Sequence, residues 1–581
     1  MKRFCFDLLC AITILFIYAD LHAQESGVFY PKLIFMEDSM SYLSVYSVQN
    51  TTYDGIYSLI LDRKGNKVAE VLLNNDNAKT LSLAYLKKQG IALVVYNYCT
   101  GNIGCYLRGQ LIKSDGSSAL SPFTISTNAY FIGDAVVIAD EDNERFLVVW
   151  YDGRNRSAPI IYGNFVNSNG RISNNEVVLL RDAMTVSSFD IVNDVNNSRF
   201  ALLYSKGDGV NNYGVYLRFL DKNLNYISES RLADTTAPDC NVSITFNNIE
   251  KLFFAVFTDY VAGIGAYNIK GLIIGENAKI IKSLDITNDS FRNKNPDTAY
   301  NPYSNKFILA FQKEELQNSV SNIVINTVST QGAILSEEMV DSTEKASLYE
   351  PSIVPNTLCD NLMVVFVDVN PFTYQSNFDS KFSGELCRFL LNIYRTGDGD
   401  GRVTSEPAGI DCGGNCSKDF ADGELVKLIA IPSESSLFVS YTGTQCVDEP
   451  LCSVVMDSEK KVGVEFTLRT FQITTVYGEG GKILPENPSV KYGSNQTFEI
   501  LPNTGYSIED VVVDDISVGK VSSYTFTNVD KGHTISAKFV PYLNEWDIDG
   551  GVTDSPAQEG IPITITETGD RSSGCGCGIL E

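Results

Sequence analysis

A chain of 581 residues with 44% hydrophobic and 20% charged residues is long enough for several folded domains and too apolar for a disordered tail. Its 45 Lys and Arg against 71 Asp and Glu leave a net charge of −26, which repels phosphate backbones and anionic lipid surfaces and argues against nucleic acid as a partner. Tyr 30 and Phe 31 against Trp 2, among many Asn, Ser, Thr and Gly, suit a chain of strands and turns.

Residues 1–23 read as a signal peptide: Lys2 and Arg3 lead, Phe4 to Tyr18 is mostly apolar, and Leu21-His22-Ala23 offers a small-residue cleavage site. The apolar run is short for a bilayer, Leu9 before Cys10 does not suit a lipoprotein, and no later stretch is long and apolar enough to span a membrane. The expectation is export to the cell surface or medium, with the periplasm as the other compartment. Eleven cysteines follow the signal, where an oxidising environment lets them pair.

Over residues 24–389 one pattern recurs. Apolar strands end on Tyr46, Tyr96, Trp150, Tyr204, Phe257, Phe311 and Phe366, at intervals of 50, 54, 54, 53, 54 and 55 residues. Before each lies a short run (YPKLIF, LSLAYL, DAVVIA, SFDIVN, CNVSITF, NPDTAY, EPSIVP); after it come a second strand such as IYSLILD or IYGNFVN and a fourth such as VAEVLL. Four short strands in a unit of about fifty residues match a β-propeller blade, whose apolar faces only its neighbours cover. Immunoglobulin-like sandwiches need roughly twice that period. Seven blades are favoured, the last short of outer strands; six with an overlapping closure is the alternative.

The third unit, RFLVVWYDGR followed by IIYGNF, resembles the VW-x-D-x-R and IYG-type repeats of exported bacterial proteins of unassigned activity. Its Asp152-Gly153-Arg154 reads as an exposed strand mouth, but other units lack the pair, so strand and aromatic are architecture and the loop is variable surface. Variable loops on a rigid ring are where recognition is expected, which singles out Asp152, Arg154 and Arg156 in one loop and Lys206, Asp208, Asn211 and Asn212 in the next.

Enzyme signatures are sparse. Of the two histidines, His22 leaves with the signal and His533 lies in KGHTISAKF, so Ser-His, Cys-His and His-based zinc chemistry lack their base or ligand. Carboxylate-only glycoside hydrolysis stays open, yet no acid stands out and no S-x-D-x-G-x-T-W box is present. No cofactor is expected. Calcium is the metal to consider: Asp140 and Asp142, Asp398 and Asp400, and Asp547 and Asp549 alternate oxygen ligands, without an EF-hand's distal Glu.

From about Leu390 the character changes. GDGDGRVTSEPAGIDCGGNC…VKLIAIP…LFVSYTG and then ITTVYGEGGKILPENPSVKYGSNQTFEILPNTGYSIEDVVVDDISVGKVSSYTFTNVDKGHTISAKF resemble, twice over, the divergent internalin-B-repeat family of bacterial repeat domains. The resemblance implies two small all-β modules, 390–468 and 469–540, that serve as stalk or adhesive spacer and bring no catalytic residues. Runs of Val, Ile, Tyr, Phe and Thr between Gly, Pro and Asn point independently to short antiparallel strands.

Cysteine spacing favours local disulfides Cys412–Cys416, about a Gly-Gly-Asn turn, and Cys446–Cys452, with Cys99–Cys105 and Cys359–Cys387 in the propeller. A four-cysteine zinc site is the alternative. Residues 541–581 form an acidic tail ending SSGCGCGILE, either a flexible end or the head of a sorting signal. Together these readings describe an exported, all-β, non-catalytic binding or adhesion protein whose propeller loops meet a glycan or protein ligand at a cell surface. The rivals are an extracellular carbohydrate-active propeller and a structural envelope component.

Overall fold

The computed structural model describes residues 26–542 apart from 50–53, 100–104, 128–131, 154–159, 174, 182–184, 208–212, 238–239, 318–319, 341–346, 371–374 and 447–448. Among these the helical pieces are two three-residue turns, Lys87–Gln89 and Glu141–Asn143; the rest is strand and loop. By its contacts the chain forms two units. One runs through Leu390 and takes in Asp419–Glu424 and Met456–Glu459; the other holds Leu391–Lys418, Leu425–Val455 and the chain from Lys460 onward.

The first unit is a seven-bladed propeller. Blade 3 shows the plan: Ile132–Asp140, Arg145–Asp152, Ile160–Asn167 and Val177–Arg181 follow one another as an antiparallel meander. Its second strand is apolar at consecutive positions because both its faces are covered. Phe146, Val148 and Trp150 enter a core shared with blade 2, whereas Leu147 and Val149 enter one shared with blade 4. Period-two alternation thus sends one strand into two cores. Each fully buried Leu, Val or Phe there is worth about 1.5–3 kcal/mol, the main favourable term holding blade to blade.

The same sharing repeats around the ring. Separate cores join blades 1 and 2, 2 and 3, 3 and 4, 4 and 5, 5 and 6, and 6 and 7. A further core packs Tyr42, Tyr46 and Leu59 of blade 1 against Met363 and Val365 of blade 7, so the ring closes with seven blades. Among the described residues blades 1 to 6 have four strands and blade 7 has three, Ser347–Pro355, Asn361–Val369 and Gln375–Gly384. The recurring aromatic near the end of each second strand is buried, and Tyr46, Trp150 and Tyr204 stack on Tyr57, Tyr162 and Tyr216 directly across the ladder.

The second unit contains the same small fold twice. In the first copy Arg388–Thr396 pairs in parallel with Lys460–Leu468; in the second Thr470–Tyr477 pairs in parallel with His533–Pro541. Each copy then adds an antiparallel sheet with three corresponding strands, Gly401–Glu406 with Leu425–Pro432 and Leu451–Val455, or Gly481–Leu484 with Gln496–Pro502 and Ser523–Phe526; in the first copy the short strand Asp411–Cys412 extends it. Alternate residues such as Phe498, Ile500, Val511 and Ile535 point inward to one core. His533 is structural: its Nδ1 lies 2.6 Å from Asp514 and its ring rests on Phe526.

Disulfides join Cys99 to Cys105, Cys359 to Cys387, Cys412 to Cys416 and Cys446 to Cys452. Cys240 is free and buried, and burial pushes its thiol up to about 12.

Candidate functional site

The innermost strand of each blade forms the wall of a central channel, and all seven are distorted or interrupted at one end. In blades 1, 2, 3, 4, 6 and 7 the inner strand carries one residue more than its partner, a β-bulge near the buried aromatic. In blade 5 the strand stops there and Asn241 takes over, donating its N–H to Thr258 Oγ1 at 2.9 Å. Bulges re-aim side chains and end pairing, which opens the mouth of the channel.

Three consecutive blades, 6, 7 and 1, build the bulge alike. Asn295-Pro296, Glu350-Pro351 and Tyr30-Pro31 each place a non-glycine residue in the left-handed region, at φ of 49°, 54° and 56°. Such backbone costs of order 1 kcal/mol or more and persists only where surrounding structure fixes it. Here proline locks the following residue, and Glu350 Oε2 accepts the Tyr30 N–H at 2.9 Å, tying blade 7 to blade 1.

One step inward, register places Lys32, Ser82, Val136, Asp190, Ser243, Asp297 and Ser352 at one level, opposite Val45, Val95, Val149, Leu203, Val256, Ala310 and Val365. Four of these side chains accept a hydrogen bond from the inner strand of the next blade. Ser82 takes the Val137 N–H at 2.9 Å, Asp190 that of Ile244 at 2.9 Å, Ser243 that of Thr298 at 3.1 Å and Asp297 that of Ile353 at 2.8 Å. An inner strand has no ladder partner on its channel side, so these side chains supply it.

The channel encloses about 820 Å³ and reaches residues from every inner strand. Burial raises the Asp134 and Asp297 carboxyls, with Lys32 opposing both, and pushes Asp190 up to about 6. Asp190 and Asp297 are committed to backbone N–H groups, whereas Asp134 lines the channel without a hydrogen-bond partner among the described residues. With Asn241, Asn295 and Glu350 around it, the mouth offers acceptors and amides suited to a polyhydroxylated molecule. Among the described residues no three His, Cys, Asp or Glu side chains gather to hold a metal.

The loop residues expected to bind are placed differently. Asp152 is not an exposed strand mouth: it is 1% exposed, still paired in its strand opposite Ile132. Lys206 is likewise inside its strand, 9% exposed, with Nζ 4.4 Å from the centre of the Tyr216 ring. Both second strands run past the aromatic before the loop begins, which apolar patterning alone did not show. Arg154, Arg156, Asp208, Asn211 and Asn212 lie outside the described residues. Antiparallel pairing ends both second strands, at Asp152 and Gly207, on the side where the inner strands begin, the side of Asp134 and Glu350.

Asp140, a calcium candidate, is spent on the hairpin. It is fully buried, with Oδ2 on Arg145 Nε at 3.0 Å and Oδ1 on Lys222 Nζ at 2.7 Å. Burial alone would raise its carboxyl, but the Lys222 and Arg145 hydrogen bonds outweigh it and hold it below the usual range. Blade 4 repeats the device with Asp194 and Arg199 at 2.6 Å. In both, the guanidinium also stacks on the third strand, over Phe165 or Phe219. Asp142 sits exposed in the same turn; Asp547 and Asp549 lie outside the described residues.

Sequence reading passed over the actual mouth. The X-Pro pairs of blades 1, 6 and 7 stood in YPKLIF, NPDTAY and EPSIVP, and a proline at the head of a strand, repeated at one rank, was the available signal.

Residues 471–542 match the divergent InlB B-repeat domain family. The repeat immediately before them shares the strand order of that module. No curated protein sequence matches the chain. Among solved structures, a GH43 endo-arabinanase from Bacillus licheniformis is 16% identical, with a TM-score of 0.28 over 44% of this chain and 96% of its own. An exo-β-1,3-galactanase from Phanerochaete chrysosporium is 11% identical, TM-score 0.31, over 83% and 91%. Prolyl oligopeptidase B from Galerina marginata is 9% identical, TM-score 0.36, over 71% and 57%.

Proposed function

We propose that this is an exported, non-catalytic binding protein that holds a neutral glycan at the channel mouth of its propeller, with the two repeat modules serving as stalk or spacer. The observation that carries the reading is the mouth itself: three bulged X-Pro pairs on adjacent blades, an Asp134 carboxylate without a hydrogen-bond partner among the described residues, and amides and carboxylates facing one cavity. Planar acceptor groups bind pairs of vicinal hydroxyls, and a fixed backbone limits the entropy lost on binding. The net charge of −26 weighs against sulfated or uronic glycans. The variable loops, which leave their strands on the same side, extend the contact surface. The four disulfides and the bacterial repeat domain support an oxidising location outside the cytoplasm.

A glycan array that separates neutral, acidic and amino sugars tests this. Retention of neutral glycans without loss of the parent oligosaccharide is expected; retention of acidic glycans alone overturns it. One observation favours a hydrolase instead: a raised carboxyl open to the channel, as at Asp134, is suited to general-acid work. Release of new reducing ends from a bound oligosaccharide would establish that second reading.

A further inference from the structure

At the joint of blades 3 and 4 two cations share one carboxylate. Asp140, fully buried, meets Arg145 Nε at 3.0 Å and Lys222 Nζ at 2.7 Å. The joint of blades 4 and 5 is built alike but balanced. There Arg199 pairs with Asp194 and donates to the backbone O of Glu276, as Arg145 donates to that of Lys222 at 2.6 Å. Lys222 and Glu276 thus hold the same rank, and only Lys222 adds a cation. Its side chain is 16% exposed, and a charge largely removed from water without a counter-charge of its own is costly.

The ammonium has a second contact. Lys222 follows the third strand of blade 4, Tyr213–Asp221, and its side chain crosses back over the second, where Nζ stands 4.2 Å from the centre of the Phe200 ring. Across the ladder from Phe200 lies Asn193 of the inner strand, and Lys222 Nζ donates to its Oδ1 at 2.7 Å. Two strand spacings are about 10 Å, a gap that a lysine and an asparagine side chain close together. The Asn193 amide is held in place, because its Nδ2 donates to Ala139 O of blade 3 at 3.2 Å. Amine, amide and carboxylate therefore meet at one point against an aromatic ring. These are the three groups that amide exchange needs: a nucleophile, an acyl carbon and a proton carrier.

We propose that Lys222 and Asn193 become joined by an intramolecular isopeptide bond, with Asp140 carrying the proton. The Asp140 carboxylate takes one proton from Nζ. The freed amine attacks Cγ of Asn193 and forms the Nζ–Cγ bond; the Cγ–Nδ2 bond breaks as Asp140 hands its proton to the leaving nitrogen. Of the three protons on Nζ, one stays on the new amide and two depart on Nδ2 as ammonium, so the second cation leaves with the product. No oxidant or other reactant is consumed. The bond ties the end of the inner strand to the turn after the third strand, 29 residues on, and leaves Asp140 and Arg145 as a balanced pair.

Peptide mapping of the reduced and alkylated full chain tests the proposal. Trypsin is expected to leave a branched peptide that joins the Asn193 and Lys222 segments, uncut after Lys222 and about 17 Da lighter than their sum, the mass of one ammonia. Lys222→Arg keeps a cation beside Asp140 and should release both segments, making the chain about 17 Da heavier than the parent once the substitution is allowed for. Asp140→Ala should leave the two residues unlinked; if that variant does not fold, the parent's own map decides. A free Lys222 amine and an intact Asn193 amide, in parent protein incubated for days at physiological temperature, overturn the proposal and leave the cluster a hydrogen-bonded ion pair. Linkage that persists in a folded Asp140→Ala overturns the part given to the carboxylate.

Discussion

The Asp190 carboxylate of blade 4 accepts the backbone N–H of Ile244, in blade 5, at 2.9 Å. It also accepts the N–H of Ile191 at 2.8 Å and faces Ser243 Oγ at 3.2 Å, so one side chain joins two inner strands at the channel wall.

That junction sets a pH dependence. Burial pushes the Asp190 carboxyl from 3.8 up to about 6, so its contribution to stability is full below pH 4 and falls as pH rises through 6. A shift of that size corresponds to about 3 kcal/mol, reduced to roughly 1–3 kcal/mol because the residue is only half-buried at the channel wall. Asp190→Asn keeps an acceptor for Ile244 and removes the charge. Denaturant melts at pH 4 and pH 8 are expected to show the variant losing the parent's slope between those values, with equal or higher stability at pH 8. Asp190→Leu instead orphans the Ile244 N–H and should cost about 1–3 kcal/mol at pH 4 and less at pH 8, where the parent has lost its own contribution.

Trp150 measures the shared cores. It is fully buried between blades 2 and 3 and stacks on Tyr162. Trp150→Ala is expected to cost about 3–5 kcal/mol in chemical denaturation. Leu120→Ala, at a position 41% exposed, should cost far less and serves as the control.

Of the disulfides, Cys359–Cys387 closes the longest interval, 28 residues, and fastens the end of blade 7. Replacing both cysteines by Ala should cost about 3–4 kcal/mol by the chain-entropy rule. Non-reducing peptide mapping should recover all four pairs, and Cys240 should resist alkylation until the protein unfolds, since burial raises its thiol.

The architecture was legible because period and burial have the same cause. A second strand covered on both sides must be apolar throughout, so the intervals from Tyr46 to Phe366 counted the blades. Nearby cysteine spacing was legible for a similar reason: a short loop between cysteines leaves few other partners. What the sequence did not show was where each strand stops. Asp152 and Lys206 looked like loop residues because polar side chains usually end a strand; here one is buried and the other lies on a tyrosine ring. Nor could spacing show that Asp190, Asp297, Ser82 and Ser243 share one level, because that alignment arises only when seven strands with bulges are set side by side.

The central claim is that ligand is held at the channel mouth. Isothermal titration of a neutral oligosaccharide selected on the array, into the full-length protein and into Asp134→Ala, tests it most directly, with thermal melting run alongside. Asp134 makes no hydrogen bond among the described residues, so the variant should melt like the parent. Loss of about 1.5–3 kcal/mol of binding, roughly ten- to a hundred-fold in Kd, is expected where a charged acceptor is removed. Unchanged affinity in Asp134→Ala and in Glu350→Gln, with binding abolished on removal of the repeat modules, would contradict the account and place recognition in the modules.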